Sequence, residues 1–446
     1  MMARDEVVEG QQRQLIPRWN IATRIAFRFF FIYLGLFILY FCPIWLQALL
    51  YLKKHYRFVL GGVWPMPQLV SWTGAHFFSV TGPLGPGVGF DGIYYWAEAF
   101  CLLVIAVLAT AVWSVLDRHR ENYVTLQKWF RVVVRFVLAA IMVGYGMFKV
   151  IPAQMPFPDL FRLVQPLGHF SLMEVLWASM GAAPAYEIFA GCAELLGGIL
   201  LTVPRTTALG ALICLGDITN VLMIDMSYNV ANKLQVFHLF LLTVFLLAPE
   251  SSRLANVFLF NRGAPPSTQP ALFRTRRTNR IALAAQVILG VYLVGINAYQ
   301  IWTQDWRHLG RGGAPKPVLY GIWNVDEISV NGQLHTPILT DNDRWRRVIF
   351  DGGIIHSVLV DDSIVAFQRP DDSFAYYRSS INLSDKTLTL ADPRRKAWVA
   401  HFRFERAAPD QLVLDGEMDE HKIHMQLHLV DREKFELVND GFHWIQ

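Results

Sequence analysis

The sequence predicts a multi-pass α-helical membrane bundle of about seven spans followed by an all-β antiparallel domain. Two observations carry that reading. Before residue 305 the apolar residues gather in long blocks, and after it charges arrive every few residues between short alternating segments and turn signals. Between residues 25 and 52 the only charge is Arg28, and comparable blocks recur at 93–116, 132–151, 185–204, 206–224, 234–249 and 281–302. Each is long enough to cross a hydrocarbon core of about 30 Å at about 1.5 Å per residue, the 234–249 block only marginally.

A chain of 446 residues that is 53% hydrophobic, with the excess placed in blocks, is not an ordinary soluble protein. The net charge of +4 does not point to nucleic acid, because the basic residues crowd the ends of the apolar blocks. That placement is the footprint of membrane topology. The most basic segments are the N-terminus (Arg13, Arg18, Arg24), the connection with Arg118, Arg120, Lys128 and Arg131, and the run Arg262, Arg274, Arg276, Arg277 and Arg280. They precede the first, third and seventh spans. With all three in the cytoplasm the path alternates without contradiction, and residues 305–446 emerge on the outside of an inner or plasma membrane. A polar stretch precedes the first block and no small-residue cleavage site follows it, so the first span is expected to be an anchor.

The expected organisation follows: a cytoplasmic segment 1–24, two spans within 25–130, a four-helix unit over 131–260, a basic linker and last span over 261–304, and an extracytoplasmic domain over 305–446. Tyr94, Tyr95 and Trp96 open the second span at its outer end, where amphipathic rings prefer to sit. Cys42, Cys101, Cys192 and Cys214 all fall in apolar blocks, with no CxxC spacing, and read as small packing residues.

In the outer domain, segments 320–330, 348–350, 363–368, 374–378, 387–390, 398–404, 411–414, 423–429 and 435–438 alternate apolar with polar residues. Turn residues such as Asn331-Gly332 and Pro370-Asp371-Asp372 separate them. That pattern implies an antiparallel barrel or sandwich. Gly321-Ile322-Trp323 resembles the Gly-x-Trp that opens lipocalin-type barrels, whose Trp closes the barrel floor, so the domain is expected to be lipocalin-like. Ile423, Met425, Leu427 and Leu429 alternate with Lys422, His424, Gln426 and His428. His424 and His428 thus share one face about 13 Å apart, too far to chelate one ion, and read as a solvated face.

Ionisable groups inside spans are costly and mark candidate sites. Glu194 and Asp217 lie at matching depth, about 13–14 Å below the outer surface. Asn220 follows Asp217 by three positions, and Glu187 precedes Glu194 by seven. Lys149, Asp225, Tyr228, Lys233 and His238 complete an outer polar set. In the functional reading Glu194, Asp217 and His238 move protons, and Lys149, Glu187, Asn220 and Tyr228 hold a quinone head group or a similar small polar ligand. In the structural reading, Lys149 and Asn220 neutralise carboxylates and the set locks four helices together. No His-x-x-x-His or Glu-x-x-His spacing on these spans argues for a metal. Gly191, Gly197 and Gly198 would let a neighbouring helix approach the fourth span closely.

Residues 131–260 hold Arg135, the run Gly144-Tyr145-Gly146-Met147-Phe148-Lys149, Pro158-Asp159-Leu160, the run from Glu194 to Leu201 with Gly197-Gly198, and Arg205-Thr206-Thr207. In that order and spacing they resemble the DoxX-like membrane family. The resemblance implies a four-helix unit linked to a membrane oxidoreductase system, often as an accessory subunit, with Arg135, Lys149 and Glu194 at matching positions. The expected function is a redox-associated membrane protein whose partners are the bilayer, a redox protein and a small lipophilic molecule such as a quinone. The alternative is a membrane-anchored assembly or ligand-binding protein in which the barrel does the binding. Transport ranks last, because the inner halves of the spans show few polar residues apart from Arg135.

Overall fold

The computed structural model describes residues 18–41, 65–82, 84–85, 91–264, 271–307, 313, 316–336, 338, 341, 344–352, 354–355, 358–359, 363–392, 394–395 and 398–439. Arg13, Cys42, the second half of the first apolar block and residues 265–270 of the basic linker lie outside them.

In chain order the helices are α1 (Ile21–Phe41), α2 (Met66–Phe77), α3 (Ile93–Leu116), α4 (Val124–Val150), α5 (Leu160–Val164), α6 (Leu172–Ala182), α7 (Pro184–Thr202), α8 (Thr207–Ser227), α9 (Lys233–Leu247), α10 (Ser251–Phe258) and α11 (Arg276–Gln300). Seven helical stretches are long and apolar enough to cross a membrane: Ile21–Tyr40, Ile93–Leu116, Val124–Val150, Pro184–Thr202, Pro204–Ser227, Lys233–Phe258 and Arg276–Trp306. A helix satisfies all its backbone groups internally, which is what the hydrocarbon demands. Large apolar side chains such as Leu108, Val115, Leu116, Ile288 and Val291 point outward and remain exposed, as lipid-facing residues do. Several spans exceed their apolar blocks, two of them by eight residues or more at one end. The helix of α4 starts at Val124, ahead of Lys128 and Arg131, and α9 continues through the 3-10 turn Ala248–Glu250 into the amphipathic α10.

The chain divides into two compact units, one of residues 1–147 and 191–297, the other of residues 148–190 and 298–446. Residues 148–190, expected within the four-helix unit 131–260, group with the β domain.

The first unit is a helical bundle with a core that includes Leu34, Phe37, Val70, Leu102, Leu138 and Leu242. Its tightest helix contacts are made over glycine. A Cβ on Gly146 of α4 would stand 2.5 Å from the Leu195 nitrogen and 2.7 Å from the Gly191 carbonyl oxygen of α7. A Cβ on Gly198 would stand 2.9 Å from Val143. Missing side chains here allow backbones to meet, the means by which helices pack in lipid. Arg28, only 3% exposed, is satisfied at a helix end by the Tyr123 hydroxyl at 2.7 Å and the Asp117 carbonyl at 2.8 Å.

The second unit contains strands β1 (Gly321–Val330), β2 (Gln333–Leu334), β3 (Arg347–Asp351), β4 (Ile354–Ile355), β5 (Val358–Leu359), β6 (Ser363–Gln368), β7 (Phe374–Asn382), β8 (Thr387–Ala391), β9 (Val399–Ala408), β10 (Gln411–Met418) and β11 (His421–Leu429). Antiparallel neighbours run β1-β3-β6-β7-β8-β9-β10-β11, and β11 pairs back onto β1 with Trp323 opposite Leu429. Eight strands thus close an up-and-down barrel. The β2 strand extends β1 as a hairpin, and β4 with β5 form a separate one. Closure removes the exposed sheet edges that an open sheet would present.

The interior is filled by its own side chains. Trp323, Val348, Phe350, Val365, Phe367, Phe402, Leu412 and Met425 are among a buried core that alternates with outward residues on every strand. Trp323 is fully buried, with its indole N–H donating to the Leu319 carbonyl at 2.9 Å. A second apolar layer covers part of the barrel's outside: Leu160 and Phe161 of α5 pack on Ile322, Ile349 and Ala366.

The expected strand at 435–438 is instead a 3-10 turn, Arg432–Lys434, and a single helical turn, Glu436–Asn439. Asp431 accepts from the Glu433 backbone at 3.1 Å, which starts a turn where alternation alone suggested extension. His424 and His428 stand apart, as the spacing requires. Each pairs with a different cross-strand aspartate, Asp415 at 2.5 Å and Asp326 at 2.6 Å.

Candidate functional site

One deeply enclosed titratable group of the first unit is His238, one turn into α9 and only 2% exposed. Its Nδ1 donates to the Leu234 carbonyl at 2.7 Å, one helical turn back. With that proton committed, Nε2 of the neutral ring is an acceptor, and the Tyr33 hydroxyl of α1 donates to it at 2.8 Å. Phe37, one turn further along α1, stacks on the imidazole with ring centres 4.3 Å apart and planes 7° from parallel. The i, i+4 spacing on a helix puts Tyr33 and Phe37 on one face, so a single stripe of α1 both bonds the histidine and stacks on it.

A second cluster lies where α7 meets α8. Glu194 is 2% exposed, Cys214 is fully buried, and Asp217 is half-buried. Cys214 lies within Coulombic reach of both carboxylates. Gly197 makes this possible, because a Cβ there would stand 2.7 Å from the Cys214 sulfur. Glu194 and Asp217, placed at matching depth by the sequence, thus converge on one thiol.

The rest of the α8 set diverges. Cys214, Ile218 and Asp225 mark its buried face, whereas Asn220 is exposed and Tyr228 half-buried at the helix end. Two steps of three residues from Cys214 through Asp217 to Asn220 rotate about 120° around the helix, which carries Asn220 off the buried face. Lys233 is taken up structurally. Its ammonium binds Asp91 at 3.0 Å, while the same carboxylate accepts the Lys233 and Leu234 backbone N–H groups at 3.1 and 3.0 Å and caps α9.

Lys149 and Glu187 belong to the second unit, not to the one that holds Glu194, Asp217 and His238. Both are buried, at 7% and 0% exposure, and the ammonium lies within Coulombic reach of the carboxylate. The chain folds back so that the Met155 N–H donates to Glu187 Oε1 at 3.0 Å.

The second unit also pairs two acids that the sequence leaves unconnected. Asp159, at the N-terminus of α5, faces Asp351 at the end of β3, and Asp351 accepts the Leu160 N–H at 2.6 Å and the Gly352 N–H at 2.8 Å. Burial, reinforced by the charge of Asp351, pushes the Asp159 carboxyl well above the usual carboxylate range. Burial also raises Asp351, against its backbone donors and the nearby Arg432 and Lys316.

Two residues of the first unit were not singled out by the sequence. Tyr33 gave no signal, being one aromatic among many in its span. Glu98 did, as the lone acid of the 93–116 block. It is 1% exposed, and its Oε1 has no hydrogen-bond partner among the described residues. Nearby, the Thr73 hydroxyl and the Cys101 thiol are 3.2 Å apart. Among the described residues, no group of three or more His, Cys, Asp or Glu is arranged to hold a metal ion.

No family model matches the chain, and no solved structure matches it. Its sequence is similar to the uncharacterized protein YwoB of Bacillus subtilis (strain 168), 38% identical over 56 residues. That stretch is 13% of this chain and spans 36% of the relative.

Proposed function

We propose that the helical unit is a redox-associated membrane protein, resembling the DoxX-like family, that seats a quinone or similar lipophilic molecule and manages its protons. The observation that supports this reading is the buried Tyr33–His238 hydrogen bond, with Phe37 stacked on the imidazole. A hydroxyl–imidazole pair can pass one proton in either direction, and an aromatic stripe beside it suits a planar ring. Reducing a quinone takes two electrons and two protons, converting both carbonyls to hydroxyls. The electrons come from a redox partner protein, and the protons reach the ring through His238, with Glu194 and Asp217 as the reserve. Lys149 and Glu187 serve as a charge-balanced pair. In this reading the basic ends of the first, third and seventh spans face the cytoplasm of an inner or plasma membrane, and the barrel is extracytoplasmic.

The alternative places ligand capture in the barrel. The buried side chains of Trp323, Phe350, Phe367 and Phe402 in its interior disfavour it, since a guest would have to displace them. The barrel is better suited to assembly through its outer surface.

The test is purification of the full chain in mild detergent, with mass spectrometry of the lipid extract beside an absorbance spectrum. Wild type is expected to retain a quinone, and His238→Gln and Glu194→Gln to lose most of it. Wild-type extracts without any quinone, prepared from quinone-replete membranes, would overturn the reading.

A further inference from the structure

The first turns of α4 and α11, the start of α8 with its preceding turn, the last turn of α9 and the first turn of α10 meet at one end of the first unit around a cavity of about 530 Å³. Five cations line it: Lys128, Arg131, Arg135, Arg205 and Arg253. Glu250 answers part of this charge, binding Arg253 directly and lying 4.0 Å from Arg131. Set against the five cations that line the cavity, this one carboxylate leaves a positive excess among the described residues, in a site walled by apolar helix faces.

Most of these cations are held by neutral groups. Lys128 donates to the Ala271 and Leu272 carbonyls at 3.1 and 2.9 Å, and Arg131 donates to the Leu246 carbonyl at 3.1 Å. Arg135 is the extreme case. It lies seven residues beyond Lys128, about 10 Å deeper along the helix axis, and is 6% exposed. Its terminal nitrogens donate to the Thr207 hydroxyl at 3.4 Å and to the Gln286 side-chain oxygen, and its Nε has no hydrogen-bond partner among the described residues. Arg131 is near enough to repel it.

Positive charge at helix ends is ordinary topology, but topological arginines extend toward the polar interface. Arg135 does the reverse, reaching in between α8 and α11. A buried guanidinium with neutral partners, an idle N–H and a cationic neighbour is costly unless an anion completes the site. Arginine forks match the oxygens of a phosphate, and an excess of several cations suits a group of high charge density. Val132, Ala208, Leu246 and Leu283 supply an apolar wall beside the cations.

We propose that this cavity binds a phosphate group, with Arg135 as its deepest ligand and Arg205, the exposed member of the set, at its mouth. The shared chemistry fits two sources, the headgroup of an anionic phospholipid or a free phosphate compound. The site is separate from the Tyr33–His238 pair and does not depend on the quinone reading.

The test uses the full chain in a mild non-ionic detergent, delipidated by extensive washing, with three probes: phosphatidylglycerol, phosphatidylcholine and inorganic phosphate. Thermal melting and native mass spectrometry read binding. Phosphatidylglycerol or inorganic phosphate is expected to raise the melting temperature saturably, with phosphatidylcholine inert. Arg135→Gln and Arg205→Gln are each expected to weaken binding about tenfold, the loss of one charge-assisted hydrogen bond. A response to phosphatidylglycerol alone assigns the phosphate to a lipid headgroup, and a response to inorganic phosphate assigns it to a soluble compound. The proposal fails if neither anionic probe binds better than phosphatidylcholine, or if the variants bind as wild type does. Should Arg135→Gln fail to fold, the exposed Arg205→Gln decides alone.

Discussion

Tyr33 donates its hydroxyl proton to Nε2 of His238 across 2.8 Å, a direction set by the opposite ring nitrogen, whose N–H is committed to the Leu234 carbonyl. The bond joins the first and sixth membrane-crossing helices inside an apolar core. Tyr33→Phe keeps the ring and removes the donor. We expect a loss of about 1–3 kcal/mol, the cost of withdrawing one partner from a buried polar group, seen as a lower melting temperature in detergent. His238→Phe, which removes the acceptor in the same shape class, should add little once Tyr33→Phe is present. If the double variant loses the sum of the two single losses, the residues are not coupled as the geometry implies.

The Asp159–Asp351 pair makes the second unit sensitive to pH. Both carboxyls are held above their ordinary range, chiefly by burial. Such groups bind protons more tightly folded than unfolded, so above the ordinary carboxylate value of about 4 the folded unit carries the excess protons. Stability therefore falls as pH rises from about 5 toward 8. Asp159→Asn keeps the shape and removes one charge. It is expected to flatten that slope and to raise the melting temperature at pH 8 more than at pH 5. Melting curves by tryptophan fluorescence at both pH values would check it, and parallel slopes for the two proteins would refute it.

How much of this was readable from sequence follows from range. The spans and the barrel strands are local patterns, a long apolar run or a two-residue alternation, and 423–429 shows its buried Ile423, Met425 and Leu427 in the expected register. Pairings are not local. Tyr33 meets His238 across 205 positions and Asp351 meets Leu160 across 191, and no periodicity records either. Asn220 illustrates a subtler limit. Spacing by three residues predicts that Asn220 shares a helix face with Asp217, yet Asp217 already sits at the edge of the buried stripe and the same step leads outside it. At 435–438 the apolar alternation was real, but Asp431 had already turned the chain.

The contact of α4 with α7 is made between backbones and should tolerate no added carbon at Gly146. A Cβ there meets Leu195 and Gly191 main-chain atoms at 2.5–2.7 Å, which no rotamer change relieves. Gly146→Ala is expected to cost about 1–3 kcal/mol, as overpacking does. Gly216 of α8 provides the control, since nothing stands within 4 Å of its added Cβ. Gly216→Ala should be neutral or stabilising by about 0.5–1 kcal/mol through helix propensity. Thermal melts that rank the two variants the other way would contradict the close approach.

The filled barrel makes a prediction that distinguishes its two faces. Trp323 has no exposed surface and anchors its indole N–H on Leu319, so Trp323→Ala removes a large part of the core and a satisfied donor together. The expected cost is about 3–5 kcal/mol, with loss of near-ultraviolet circular dichroism if the barrel opens. His424 lies on the outer face, 41% exposed in its side chain and paired with the more exposed Asp415. An ion pair so placed contributes about 1 kcal/mol or less, and His424→Ala should leave the melting curve almost unchanged. A barrel built around a ligand space would behave differently at Trp323, because shortening a side chain that borders an existing cavity removes fewer contacts. A Trp323→Ala cost below about 1.5 kcal/mol would therefore argue that the interior is looser than its packing shows, and would return ligand capture by the barrel to consideration.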